Sequence, residues 1–219
     1  MSRIGVLGTG NVGRTVGSKL VEVGHEVMLG SRSPGGEKAV EWVAGAGEQA
    51  SEGSLADAAA FGELIVNATP GAASLDALGA AGADNLAGKV LIDIANAAAG
   101  GTPMTLTVAN DDSLAEQIQR AHPDAKVVKA LNMVSRTVMV TPSSLGEETN
   151  LFICGDERAA KGRVMELLET FGWLSGDIID LGDITAARGM EMYIVLWLSI
   201  RHALDDPEFN IRVVRASDS

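Results

Sequence analysis

One cysteine, three histidines and no apolar run long enough to cross a bilayer set the first limits on this 219-residue chain. The lone thiol, Cys154, excludes a disulfide within the chain, and neither a CxxC pair nor a Cys/His metal spacing occurs. Cys154 lies inside an apolar stretch, which predicts a buried, inert thiol. His25, His122 and His202 are scattered and none falls at a predicted strand end, so neither a metal site nor a general base is assigned. Met192 to Ile200, broken by Ser199, is the longest apolar run and is too short for a membrane span. The first strand begins near Arg3 and leaves no room for a signal peptide, so a cytoplasmic protein is expected. Positive charge is also scarce: 17 Lys and Arg against 29 Asp and Glu leave a net charge of −12. Nucleic acid is therefore an unsuitable partner, because a phosphate backbone needs a basic face. Internal repeats and low-complexity linkers are absent, and 46% hydrophobic residues suffice for a full core.

What the chain does have is Gly8-Thr9-Gly10-Asn11-Val12-Gly13. It follows the apolar run Ile4 to Leu7 and precedes a helical pattern with Val16, Leu20 and Val23 on one face. Strand, glycine turn and helix form the setting of the dinucleotide fingerprint. Gly8 permits the tight turn, Gly10 lets a pyrophosphate approach the backbone, and Gly13 lets helix and strand pack closely. The helix start then offers unpaired N–H groups to the diphosphate.

A second strand, Glu26 to Gly30, ends at Ser31-Arg32, eighteen positions after Gly13. NAD sites carry Asp or Glu about 20 residues on, held to the ribose 2′-hydroxyl. Here no acid occurs. Ser31 can donate to a 2′-phosphate, and Arg32 can pair with its charge and stack on the adenine. The expected cofactor is NADP. Lys38 either adds a second charge there or is a solvated surface lysine.

Further along, a weak strand falls near Glu48 to Ala50, and Ser54 to Asp57 reads as a helix cap. Leu64 to Ala68 and Val90 to Ile94 read as buried parallel strands. Cofactor loops lie at the carboxyl ends of such strands, which places Ala68, Thr69, Pro70 and Asn96 beside the cofactor. Asp93, inside a strand, is expected to accept backbone hydrogen bonds. Ala97 to Asp112 reads as a loop, and Ser113 to Glu116 as a capping box for a helix reaching Ala121. Lys126 to Leu131 is another strand. At its end, Asn132 can hold a ring amide by two hydrogen bonds and Arg136 can meet an acidic group. Leu151 to Cys154 and Ile178 to Leu181 read as sheet strands, with a helix between them capped by Asp156 and reaching Phe171. A helix from Asp183 to Ala203 is apolar nearly all round. It is either deep in the core or packed on a second subunit; the second is favoured, with Met192 and Trp197 at a dimer interface. Phe209 to Val214 alternates and is expected to add an edge strand or to pair across subunits.

Several stretches match one family: the turn Gly8 to Gly13, Gly24-His25-Glu26-Val27, Gly30-Ser31-Arg32, Ala68-Thr69-Pro70 and Cys154-Gly155-Asp156. The chain resembles the NADPH-dependent coenzyme F420 reductases. It is also similar to the cytosolic domain of the six-transmembrane metalloreductases, which carry a like Gly-Ser-Arg-x-Pro turn and an Asn-x-x-Ser stretch like Asn132 to Ser135. The resemblance implies hydride transfer between nicotinamide C4 and deazaflavin C5, with the protein binding and aligning the rings. It implies that Thr9, Ser31 and Arg32 hold the adenosine phosphate end and that Pro70 lies near the nicotinamide. The expected fold class is α/β, a Rossmann-type doubly wound, mostly parallel sheet with a small C-terminal helical lobe. Residues 1–182 would form the NADP-binding domain and 183–219 the helix and edge strand of a homodimer contact.

On the second-ring side the chain departs from the family. Gly71-Ala72-Ala73 follow the proline where the archaeal enzymes carry bulkier residues, and Asn132-Met133 replace a His-Thr pair. A flavin or a quinone-like ring therefore joins coenzyme F420 as the small-molecule redox acceptor. Two alternatives stand beside this function. One is a non-catalytic NADP-binding sensor or partner protein. The other is an imine or 2-hydroxy acid reductase, which needs a proton donor such as a lysine at the nicotinamide.

Overall fold

The computed structural model describes residues 1–100 and 104–216. Strands and helices alternate from the start: β1 (Arg3–Leu7), α1 (Asn11–Glu22), β2 (Glu26–Ser31), α2 (Glu37–Ala46), β3 (Ala50–Ser54) and α3 (Leu55–Phe61). There follow β4 (Leu64–Asn67), α4 (Gly71–Ala81), α5 (Ala83–Leu86) and β5 (Val90–Asp93). A short antiparallel pair, β6 (Ala98–Gly100) and β7 (Thr105–Leu106), occupies part of the expected loop; Gly101 and Pro103 of that loop lie outside the described residues. The remainder comprises α6 (Leu114–Ala121), β8 (Lys126–Lys129), α7 (Arg136–Val140), β9 (Leu151–Ile153), α8 (Arg158–Thr170), β10 (Ile178–Asp180) and α9 (Ala187–Leu204).

Six strands form one parallel sheet in the order β3-β2-β1-β4-β5-β8. This is the doubly wound Rossmann order, which reverses between β1 and β4 and opens a crevice at their carboxyl ends. The side-chain period of two divides the apolar residues between two faces. Val6, Leu29, Val66 and Ile92 meet α1 and α8 through Val16, Leu20 and Val164. Leu7, Ile65, Leu91 and Val127 meet α3, α4 and α6 through Ala58, Leu78 and Ile118. Both faces are covered, as an all-parallel sheet requires.

Four expectations are corrected. Among the described residues, β10 pairs with β9 alone, and that pair meets the main sheet only through a bridge in which Lys129 and Cys154 exchange backbone hydrogen bonds. Asp156 does not cap α8; its carboxylate accepts the N–H of Ile184 at 3.0 Å, and Glu157 precedes the helix without a side-chain bond. Phe209 to Val214 forms no strand. Asn150 clasps it instead: the Asn150 N–H donates to Ile211 at 2.9 Å, and its side-chain oxygen accepts from Val213 at 2.7 Å. One backbone bond and one side-chain bond thus stand where alternation had suggested a backbone ladder. Asp93, finally, does more than accept backbone hydrogen bonds. It faces Lys129 in register on the neighbouring strand, and the two form a fully buried ion pair of 2.7 Å.

Among the described residues, no helix is long and apolar enough to cross a membrane. α9 is not deep in the core either. Of its eighteen residues only Ala187, Met190, Glu191 and Trp197 are buried, while Val195 and Leu196 are 44% and 55% exposed.

Replacing Lys129 by methionine strands two buried carboxylates. It is expected to cost about 3–5 kcal/mol of folding stability. Urea unfolding measures this, and a loss below about 1 kcal/mol would contradict a charged Lys129.

Candidate functional site

The crevice at the strand ends is a cavity of about 1060 Å³. Its floor is the turn between β1 and α1. Gly8 has a φ of +116°, and a side chain there would come within 2.7 Å of the Ala68 carbonyl oxygen. A methyl on Gly13 would collide with the Gly8 carbonyl oxygen, so the helix reaches its place only without one. Gly10 differs: a methyl there would touch no protein atom and would project into open space. Its bareness serves no internal packing, which suits a group laid against the backbone from outside.

Gly8, Thr9, Gly10, Asn11, Val12, Ser31, Arg32, Lys38, Ala68, Thr69, Pro70, Asn96 and Asn132 all line this one cavity, and Gly13 is buried beneath it. Their convergence follows from topology, because parallel strands end at the same edge of the sheet. Ser31 accepts the Ser33 N–H at 3.2 Å, which leaves its hydroxyl proton free to donate. Arg32 and Lys38 are exposed and form no ion pair among the described residues. Arg136 and Arg201 line the cavity too, likewise without an ion-pair partner there. The cavity therefore gathers four cations against Asp76 and Glu208, in a chain whose net charge is −12. Such focusing favours an anionic ligand.

The loops at the ends of β4 and β5 are held by one buried hydrogen-bonded chain. Asn67 donates to Asp93 at 2.8 Å and accepts from the Thr69 hydroxyl at 2.6 Å, and that hydroxyl lies 2.9 Å from Ser74. Lys129, 0% exposed, donates to the other Asp93 oxygen at 2.7 Å and to the Ala95 carbonyl, and it lies 2.9 Å from Glu191. Burial alone would lower the Lys129 pKa; the charges of Asp93 and Glu191 outweigh it and hold the pKa above the usual lysine value. Three protein oxygens thus surround the ammonium and favour its charged form.

Asn132 departs from expectation. Its amide N–H₂ is already spent, donating to Asn96 Oδ1 and to the Met190 carbonyl, each at 2.9 Å. Only Oδ1 lacks a partner, so Asn132 can accept one hydrogen bond and cannot donate a second. The preceding Leu131 has a φ of +63°, a left-handed conformation that costs a non-glycine residue about 1–2 kcal/mol. This turn out of β8 aims Asn132 at Asn96 and α9.

Trp197 is also corrected. It is buried within this chain, lines the cavity, and stacks on Phe209 with ring centroids 5.4 Å apart. Its indole N–H has no partner. Ile194, Arg201 and Glu208 join it on the same wall, and Glu208 accepts the Ser135 hydroxyl at 3.1 Å. Sequence reasoning assigned none of these four to the site. Lys129 and Glu191 were missed as well, although each is a charge set in an apolar run, the available signal for a buried pair.

The family model for NADP oxidoreductase, coenzyme F420-dependent, matches residues 3–97. A crystal structure from Arthrobacter sp. FB24, provisionally described as an F420-dependent NADP-reductase, is 45% identical. The match covers 98% of this chain and 100% of that one, with a TM-score of 0.93. Metalloreductase STEAP3 of Rattus norvegicus is 30% identical over 193 residues, 86% of this chain; the chain spans only about a third, 36%, of that relative's length. An imine reductase from Bacillus cereus is similar in fold alone, at 20% identity and a TM-score of 0.63 over 93% of this chain and 65% of its own.

Cys154 lies outside the cavity lining, and burial pushes its thiol pKa up to about 12. The raised value keeps it protonated through neutral and mildly alkaline pH. Iodoacetamide at pH 8 is expected to leave it unmodified in the native protein and to label it in urea. Rapid native labelling would show that the thiol is accessible.

Proposed function

The chain belongs to the coenzyme F420-dependent NADP oxidoreductase family, and on that premise we propose that its cavity transfers hydride between NADP(H) and a planar ring acceptor, coenzyme F420 or a flavin. One observation carries the cofactor assignment. β2 ends in Ser31-Arg32, with Lys38 nearby and no acid in the usual NAD position, on the same cavity as the α1 N-terminus. The 2′-phosphate would take the Ser31 hydroxyl proton and the Arg32 and Lys38 charges. The diphosphate would lie over Thr9 to Val12, where the space at Gly10 admits it.

Bound NADP(H) supplies or accepts the hydride at its nicotinamide ring. This chain's residues bind, orient and exclude water. Pro70 and the Thr69 loop would border the nicotinamide, with Asn132 Oδ1 available to one ring-amide N–H. Trp197, Ile194 and Met133 would wall the second ring. Lys129 does not serve as the proton donor that an imine reductase requires, since its ammonium is fully engaged by Asp93, Glu191 and Ala95. Transfer between two redox rings places the main demand on alignment.

The domain and assembly expectations belong to the same proposal: an NADP-binding unit over 1–182 and a C-terminal element over 183–219, of which 217–219 lie outside the described residues. The exposed apolar side chains of Val195, Leu196 and Leu204 support a homodimer through α9. A cytoplasmic location completes it.

NADPH is expected to bind at least about 10-fold more tightly than NADH. Arg32→Ala should weaken NADPH about 10- to 100-fold while leaving NADH nearly unchanged. Fluorescence titration gives both constants, and equal affinity for the two dinucleotides would overturn the assignment. Mixing with NADPH and either coenzyme F420 or FMN tests transfer by absorbance. Tight NADPH binding without reduction of either ring would favour the sensor alternative.

A further inference from the structure

We propose that Glu191 is a positioning residue, which sets where the Trp197 wall of the cavity stands against the cofactor. This rests on the NADP reading above and goes beyond it, to what holds the acceptor side of the site in register.

α9 is a long helix with little apolar anchorage. Its ties to the rest of the chain concentrate in one turn. Arg188 pairs with Glu116 at 2.6 Å. The Met190 carbonyl accepts the Asn132 amide at 2.9 Å. Glu191 makes the most contacts: its two carboxylate oxygens accept the N–H groups of Leu114 and Ala115 at 2.9 and 3.0 Å, and one of them lies 2.9 Å from the Lys129 ammonium. A single carboxylate thus joins α9 to the start of α6 and to β8. It is 1% exposed, so none of these contacts is shared with water.

Trp197 stands six residues beyond this anchor, about 9 Å along the helix axis. Between them Val195 and Leu196 lie on the solvent face of the helix. Trp197 stacks on Phe209 at the far end of this segment, so a rotation of α9 at the Glu191 anchor would shift that stacked pair against the cavity. The same Lys129 ammonium also holds Asp93 and Ala95, and through Asp93 and Asn67 it reaches the Thr69 loop. The cofactor-side loops and the acceptor-side wall are therefore registered against one point. The dinucleotide turn, Ser31 and Arg32 make no contact with it and should not respond when α9 shifts.

Glu191→Gln weakens the anchor, because an amide nitrogen faces either an N–H or the ammonium. The test follows NADPH titrated into the full chain. Tryptophan emission overlaps NADPH absorption, so transfer from Trp197 to bound NADPH reports their separation, and Trp197→Phe identifies its share among the three tryptophans. Glu191→Gln is expected to keep the NADPH Kd within about twofold, to lose part of the Trp197-dependent transfer, and to lower kcat with FMN or coenzyme F420 about 10- to 100-fold. Glu191→Asp, which keeps the charge, should recover much of both, and it also tests the proposal should the glutamine variant fail to fold. A lowered Tm with wild-type transfer and wild-type kcat would reduce Glu191 to a stabilising residue and overturn the proposal, as would an NADPH Kd that rises as far as kcat falls. Failure of the wild type to bind NADPH would overturn the cofactor reading instead.

Discussion

An ammonium buried between two carboxylates is the constraint on which the cavity depends. Lys129, Asp93 and Glu191 are all but inaccessible, and taking three charges out of water is costly unless each finds partners. Here each does. Asp93 accepts from Asn67 and Lys129; Glu191 accepts from the first turn of α6 and faces Lys129; Lys129 adds the Ala95 carbonyl. One carboxylate is in excess, and the N–H groups at the α6 start offset it, as a helix N-terminus favours negative charge. An apolar cluster of equal volume would hold the same elements together but would tolerate sliding. Directional bonds from one nitrogen to β5, the loop after it and α9 do not.

That requirement explains the strain beside it. Leu131 adopts a left-handed conformation directly after β8, and it does so while fully packed. The chain must leave the strand sharply so that Asn132 meets both Asn96 and Met190, reinforcing the link between the β5 loop and α9 that Lys129 already makes. Strain of this kind persists only where surrounding contacts over-determine it, and here the contacts lie on both sides of the turn.

The glycine turn and the β2 end that line the cavity were legible in the sequence because their signals are local. A glycine turn between a strand and a helix, and the two residues ending the next strand, need only a short window to be read. Ala68, Asn96 and Asn132 were legible for a related reason: parallel strands present their ends together, so naming the strands names the edge. The buried cluster behind the cavity and its Trp197 wall were not legible. Asp93 and Lys129 lie 36 positions apart and become partners only once β5 and β8 pair in register. Glu191 joins them from another element altogether. Trp197 sits in a helix so uniformly apolar that periodicity cannot say which face is covered. The tail over it is held by the backbone and side chain of Asn150, contacts that no alternation pattern records.

These two halves answer different physical demands. On the proposed reading, the dinucleotide end must recognise charge in a protein that is itself strongly acidic, and it would do so with exposed cations and helix N–H groups that need no precise surroundings. Hydride transfer between rings is instead a matter of distance and angle, where an error of about 1 Å costs as much as two orders of magnitude in rate. A flexible surface arginine can compensate for such an error in binding, but a stacked ring cannot. Rigidity is therefore concentrated where alignment is needed, in a dry cluster behind Thr69, Ala95 and α9, and is spared around Arg32 and Lys38. On the proposed reading, the burial of Lys129 and the exposure of Arg32 follow from one division of labour: the first would fix geometry and the second would attract charge.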